Sequence, residues 1–82
     1  MPAEADIYAG LSDIFADVFQ RPVELHAAVT ARDVQGWDSF KQIEIIMATE
    51  ERFGIRFTTR ELDSLQSVGD LVRVIAGKIP AG

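Results

Sequence analysis

The chain has no cysteine and a single histidine, His26, among its 82 residues. The first absence excludes a disulfide framework, a thiolate metal site and a protein thiol nucleophile. The second leaves too few imidazoles for a metal centre without unusual carboxylate support. Basic residues are also scarce: eight Lys and Arg stand against thirteen Asp and Glu, a formal net charge of −5. Nucleic-acid binding rests on cations that neutralise phosphates, so that partner class is disfavoured and partners with basic surfaces are favoured. No apolar run approaches the ~18 residues of a membrane span. Met1-Pro2-Ala3-Glu4-Ala5-Asp6 has neither the basic start nor the apolar stretch of a secretory signal, so the cytoplasm is the expected compartment.

What is present is a composition 48% hydrophobic, normal for a globular rather than a disordered chain. One domain, residues 1–82, is expected at this length, burying only about 60% of the surface its unfolded form exposes. A domain so small has little room for a walled catalytic cleft and more readily presents a surface or carries a group. There is no internal repeat and no low-complexity segment.

Ile7, Leu11, Ile14, Phe15, Val18 and Phe19 recur at helical spacing in one stripe roughly 140° wide. They predict a first helix from about Ala3 or Glu4 to about Gln20, stopped near Pro22. Residues 21–38 keep no period. Val23, Leu25, Val29 and Val34 are scattered anchors, Gly36 marks a turn, and His26 reads as a loop or packing residue. Connections this long are usually functional or held down by their own side chains.

A second helix is expected from Ser39 to about Phe53, with Gly54 as its C-terminal cap. Ser39-Phe40-Lys41-Gln42 fits a capping box in which the serine oxygen accepts an amide proton and the glutamine reaches back. With Phe40 as zero, Gln42, Ile45, Ile46, Thr49 and Phe53 fall between about 140° and 240°. Phe40, Ile43, Met47, Glu44 and Glu51 fall between about 300° and 40°. One stripe can face the core. The other, edged by Glu44, Glu50 and Glu51, packs on a neighbour or is a contact surface, and spacing leaves both open.

Ile55 and Phe57 read as a connecting segment tucked inward. Thr58-Thr59-Arg60-Glu61 is a capping box that opens a short helix through Leu62 and Leu65. Ser67 opens a last helix with Val68, Leu71, Val72, Ile75 and Ile79 on one face, closed by Pro80. Gly69 within it lowers helix propensity by about 1 kcal/mol against alanine. The expected fold is all-α, a small bundle of three main helices plus one short helix, with a long loop between helices one and two.

Catalytic constellations are missing. No second histidine serves a triad, no G-x-S-x-G elbow occurs, and no glycine-rich phosphate loop appears. Glu50 and Glu51 are adjacent and diverge by about 100° on a helix. Residues 33–38 lack the alternating oxygen ligands of a calcium loop. An enzyme is not expected. Ser39 itself has two readings from the residues alone, a helix cap or a point where a group is attached.

Through most of its length, and most densely from Gly36 to Ile75, the sequence resembles the acyl carrier protein family. The family opens its second helix with Gly, one variable residue and Asp-Ser-Leu, here Gly36-Trp37-Asp38-Ser39-Phe40. It continues to a Glu-Glu-x-Phe-Gly-Ile segment, here Glu50-Glu51-Arg52-Phe53-Gly54-Ile55, and to Ser67-Val68-Gly69-Asp70-Leu71-Val72 at its fourth helix. The three-residue motif is weak alone; the ordered set over some forty residues is specific.

The resemblance implies a discrete, monomeric carrier without catalytic residues. It implies 4′-phosphopantetheine on Ser39, transferred from coenzyme A by a phosphopantetheinyl transferase that recognises Asp38. Acyl-loading and acyl-processing enzymes with basic surfaces would meet Glu44 and Glu51, with Ile43 and Met47 as an apolar contact centre and Phe40 flanking the arm. Phe40 for leucine, Lys41 and Arg52 within an acidic helix, Thr49 on the core stripe and Trp37 beside Ser39 depart from the housekeeping pattern. They imply a dedicated carrier of one fatty-acyl, polyketide-like or aminoacyl pathway. The competing reading is an unmodified acidic helical interaction module in which Ser39 only caps.

Overall fold

The structure, a computed structural model, describes residues 4–79. Four helices follow in order: α1 Glu4–Phe19, α2 Ser39–Phe53, α3 Thr59–Ser64 and α4 Val68–Lys78. No strand occurs among the described residues. The all-α expectation of three main helices, one short helix and a long first loop holds. The suggested start at Ala3 and the closing role of Pro80 lie outside the described residues.

Periodicity does its work in α1, α2 and α4. Ile7, Leu11, Ile14 and Phe15 of α1 meet Ile45 and Ile46 of α2 and Val68, Leu71, Val72 and Ile75 of α4 in one buried cluster. Each such side chain contributes about 1.5–3 kcal/mol through burial, so this cluster carries most of the stability. Val29, Val34 and Ile55 complete it from the connections, while Val23, Leu25 and Phe57 pack partly buried against it. The long first loop is thus held down by its own side chains.

Helix ends follow local chemistry. α1 stops at Phe19, one residue before the expected Gln20, because Gln20 turns left-handed at φ 58°. α2 ends at Gly54, also left-handed, whose N–H donates to the Glu50 carbonyl. Thr58 and Glu61 form the expected capping box of α3. α3 buries no residue, and Leu65 caps it rather than extending it. α4 ends at Lys78, so Ile79 follows the helix instead of belonging to it, yet still packs on the core.

The loop also finishes α4. A helix begins with four amides that lack intrahelical partners. Here Val68 N–H donates to the Val29 carbonyl at 2.8 Å and Gly69 N–H to the Ala27 carbonyl at 3.0 Å. Asp70 N–H donates to Ser67 Oγ at 3.3 Å and Leu71 N–H to the Ser67 carbonyl at 3.2 Å. Val68, Gly69 and Asp70 N–H are thus satisfied, two of them by the loop, and the Leu71 bond is the first of the helix itself.

α1 and α2 run antiparallel, and two cations of α2 bridge them. Lys41 Nζ donates to the Val18 carbonyl at 3.1 Å, and Arg52 pairs with Asp13 at 3.3 Å. The last turn of α1 carries no basic residue of its own. Lys41 supplies from α2 the positive charge its negative end favours.

Candidate functional site

The head of α2 is built by three consecutive residues. Gly36 turns the chain at φ 88°, a conformation open to glycine and strained for other residues. Trp37 then packs edge-on against Phe15, ring centroids 5.2 Å apart, and against Phe19 at 6.4 Å. Its indole N–H donates to Gln42 Oε1 at 2.7 Å. Trp37 is therefore a wedge that seats the start of α2 on α1 rather than a free aromatic beside the serine.

Asp38 caps the helix. Its backbone is extended, its side-chain Oδ1 accepts from Lys41 N–H at 2.9 Å, and its carbonyl accepts from Gln42 N–H at 2.9 Å. This corrects the expectation that Ser39 is the cap with Gln42 reaching back. Asp38 and Ser39 are both good cap residues, and the aspartate takes the position because the Gln42 side chain is held by Trp37. Ser39 becomes the first residue of the helix. It is exposed, and no hydrogen bond among the described residues engages its hydroxyl.

Ser39 lies at the mouth of an open groove of about 470 Å³. Trp37, Asp38 and Gln42 line one side; Leu62, Leu65, Gln66, Ser67 and Leu71 line the other. Sequence reading missed this second wall, which comes from α3 and the start of α4. Gln42 could have been found: it stands three residues after Ser39, on the same side of one helical turn.

The remaining candidates form a second face of α2. Phe40, Ile43 and Met47 are 77%, 57% and 63% exposed. Among the described residues this second stripe is largely exposed and is not covered by a neighbouring element. Glu44 and Glu51 flank it, both exposed, with Glu44 3.7 Å from Lys41. Glu50, expected at its edge, instead accepts from Phe57 N–H at 2.9 Å and braces the link to α3. Lys41 and Arg52 reach towards α1, so this face keeps its apolar and acidic character.

Thr49 is fully buried and donates to the Ile45 carbonyl at 2.7 Å, the partner that a polar core residue requires. His26 is exposed in the loop, where its carbonyl accepts from Val29 N–H at 3.1 Å. Among the described residues no group of three His, Asp or Glu could hold a metal ion, and no helix is long and apolar enough to cross a membrane.

The phosphopantetheine attachment site family matches residues 9–75. Over 75 residues the chain is 32% identical to an acyl carrier protein of Acidothermus cellulolyticus, spanning 90% of this chain and 89% of that one. It is 31% identical over 74 residues to the meromycolate extension acyl carrier protein of Mycolicibacterium aurum, spanning 89% and 76%. The solution structure of holo acyl carrier protein from Geobacter metallireducens matches with a TM-score of 0.82 at 32% identity, spanning 95% and 86%. The chain belongs to the acyl carrier protein family.

An acyl carrier protein is a carrier and not a catalyst, and it bears a covalently attached phosphopantetheine. The head of α2 in this carrier fits such a group. It presents a hydroxyl in solvent, outside the capping hydrogen bonds. It opens a 15-residue helix, whose first-turn amides and dipole favour a phosphodiester by about 0.3–1 kcal/mol. It also borders a groove beside which an arm can lie.

Proposed function

We propose that Ser39 takes the 4′-phosphopantetheine and that the chain is a discrete carrier, one domain across residues 1–82, serving a dedicated cytoplasmic pathway. The observation that carries the assignment is the division of labour at the head of α2. Asp38 caps, which leaves the Ser39 hydroxyl exposed and uncommitted at the helix's positive end. The interaction-module reading needed Ser39 as the cap, and Asp38 holds that position.

When bound, the group supplies a terminal thiol on which acyl cargo rides as a thioester. The chain's own residues do the rest. Ser39 Oγ offers the bond. Asp38 keeps the first turn rigid, so that a phosphopantetheinyl transferase meets a preformed site. Phe40, Ile43 and Met47 supply an apolar docking centre. Glu44 and Glu51 beside them match basic patches on the transferase and on acyl-processing enzymes, and such charges act chiefly on encounter rate and orientation. A carrier that meets several enzymes in turn is served by a monomer with this face free.

Trp37, Lys41, Thr49 and Arg52 support a dedicated pathway. Each is built into this bundle by a specific contact rather than left as surface drift. Intact mass after incubation with coenzyme A and a transferase tests the site. Wild type gains one phosphopantetheine and Ser39→Ala gains none; unmodified wild type across several competent transferases would sink the assignment.

A further inference from the structure

We propose that Gln42 selects cargo: the groove beside Ser39 takes a short acyl group bearing a neutral oxygen, and the Gln42 amide donates a hydrogen bond to that oxygen. This rests on Ser39 as the attachment point. An indole N–H can only donate, so the 2.7 Å contact from Trp37 fixes the Gln42 carbonyl oxygen towards the tryptophan. The Nε2 amide is the end left over. It has two donor protons, and no acceptor among the described residues engages them. Gln42 is half-buried and lines the groove one helical turn from Ser39.

The opposite wall repeats this polarity. Ser67 Oγ accepts from Asp70 N–H at 3.3 Å, which leaves its proton to donate, and Ser67 also lines the groove. Leu62 and Leu65 offer a carbon skeleton an apolar side. Asp38 stands at the mouth, where its carboxylate repels an acid cargo, so the favoured oxygen is a ketone, hydroxyl or amide. Trp37, held against Phe15 and Phe19, gives the groove a fixed aromatic wall. A long saturated chain would strip water from the Gln42 amide and return no hydrogen bond.

The test loads wild type and Gln42→Glu from butanoyl- and 3-oxobutanoyl-coenzyme A with a permissive transferase. Glutamate keeps an oxygen for Trp37 and removes the donors. Intact mass first confirms one acyl-phosphopantetheine on Ser39. Failure there defeats the attachment site and this inference with it, and is distinct from every later outcome. Two readouts follow: the Gln42 side-chain amide resonances, and the rate at which a small thiol such as dithiothreitol takes the acyl group and releases the thiol of the arm.

The 3-oxobutanoyl cargo moves the amide resonances, whereas butanoyl and the bare arm do not. Gln42→Glu raises the cleavage rate of the 3-oxobutanoyl form about fivefold relative to its effect on the butanoyl form, the equivalent of one neutral hydrogen bond. Equal rate effects on the two cargoes overturn the proposal. So do resonances that fail to move, and resonances already moved by the bare arm, since the arm's own amides would then be the occupant.

Discussion

The backbone carbonyl of Ala27 lies 2.9 Å from where a Cβ on Gly69 would stand, and receives the Gly69 N–H at 3.0 Å. The glycine that weakens α4 in isolation is what lets the long loop approach and satisfy the helix's first amides. Gly69→Ala gains up to about 1 kcal/mol in helix propensity but drives a methyl into backbone. Net destabilisation by about 1–3 kcal/mol is expected in urea unfolding. Gly77→Ala, in the same helix with nothing within 4 Å of the new methyl, should gain stability by up to about 1 kcal/mol. If both variants gain alike, the loop contact is not structural.

The cap and the modification reside on neighbouring residues, and two substitutions separate them. Asp38→Ala removes the side chain that accepts Lys41 N–H and should cost about 1 kcal/mol. Ser39→Ala touches no capping bond and should stay within about 0.5 kcal/mol of wild type while losing all mass gain. Melting temperatures with intact masses on both variants decide the matter. A larger stability loss at Ser39 than at Asp38 would return the cap to the serine.

Much of this was legible in the chain because it is local. The stripes of α1, α2 and α4, the Gly54 stop and the Thr58–Glu61 box each depend on residues a few positions apart. The place of the candidate site was legible for the same reason. The identity of the cap was not, because Asp38 and Ser39 both suit it and the choice turned on Gln42 being held by Trp37. Nor was the role of Lys41, whose partner Val18 lies 23 residues earlier, or the groove, whose far wall comes from α3 and α4. Exposure of Phe40, Ile43 and Met47 could not be read from periodicity, which finds an apolar stripe without telling what covers it.

Thr49 offers a test of what a buried hydroxyl contributes. Its Oγ donates to the Ile45 carbonyl, one turn back on its own helix, where that carbonyl has the helical amide as well. Thr49→Val removes the donor and leaves no orphan acceptor, so stability should change by less than about 1 kcal/mol. Thr49→Leu adds volume at a fully buried position and should cost about 1–3 kcal/mol. Urea midpoints compared across the two variants check the order, and a Val variant worse than Leu contradicts it.

Glu61 gives the fold a sensitivity to acid. Its Oε1 accepts from Lys78 Nζ at 2.8 Å and from Thr58 N–H at 2.8 Å. The Lys78 contact first, and the Thr58 amide second, hold this carboxyl below its usual range. Its pKa is then lower folded than unfolded. The stability it contributes is present above the ordinary glutamate value of about 4.3 and is lost as pH falls through the lowered folded value. Glu61→Gln should therefore be less stable than wild type at neutral pH, and the two should converge in acid. Because α3 buries no residue, the loss should appear first as faster amide exchange over residues 59–64. A gap between wild type and Glu61→Gln that stays constant from neutral pH into acid would show that the charge on Glu61 holds nothing in place.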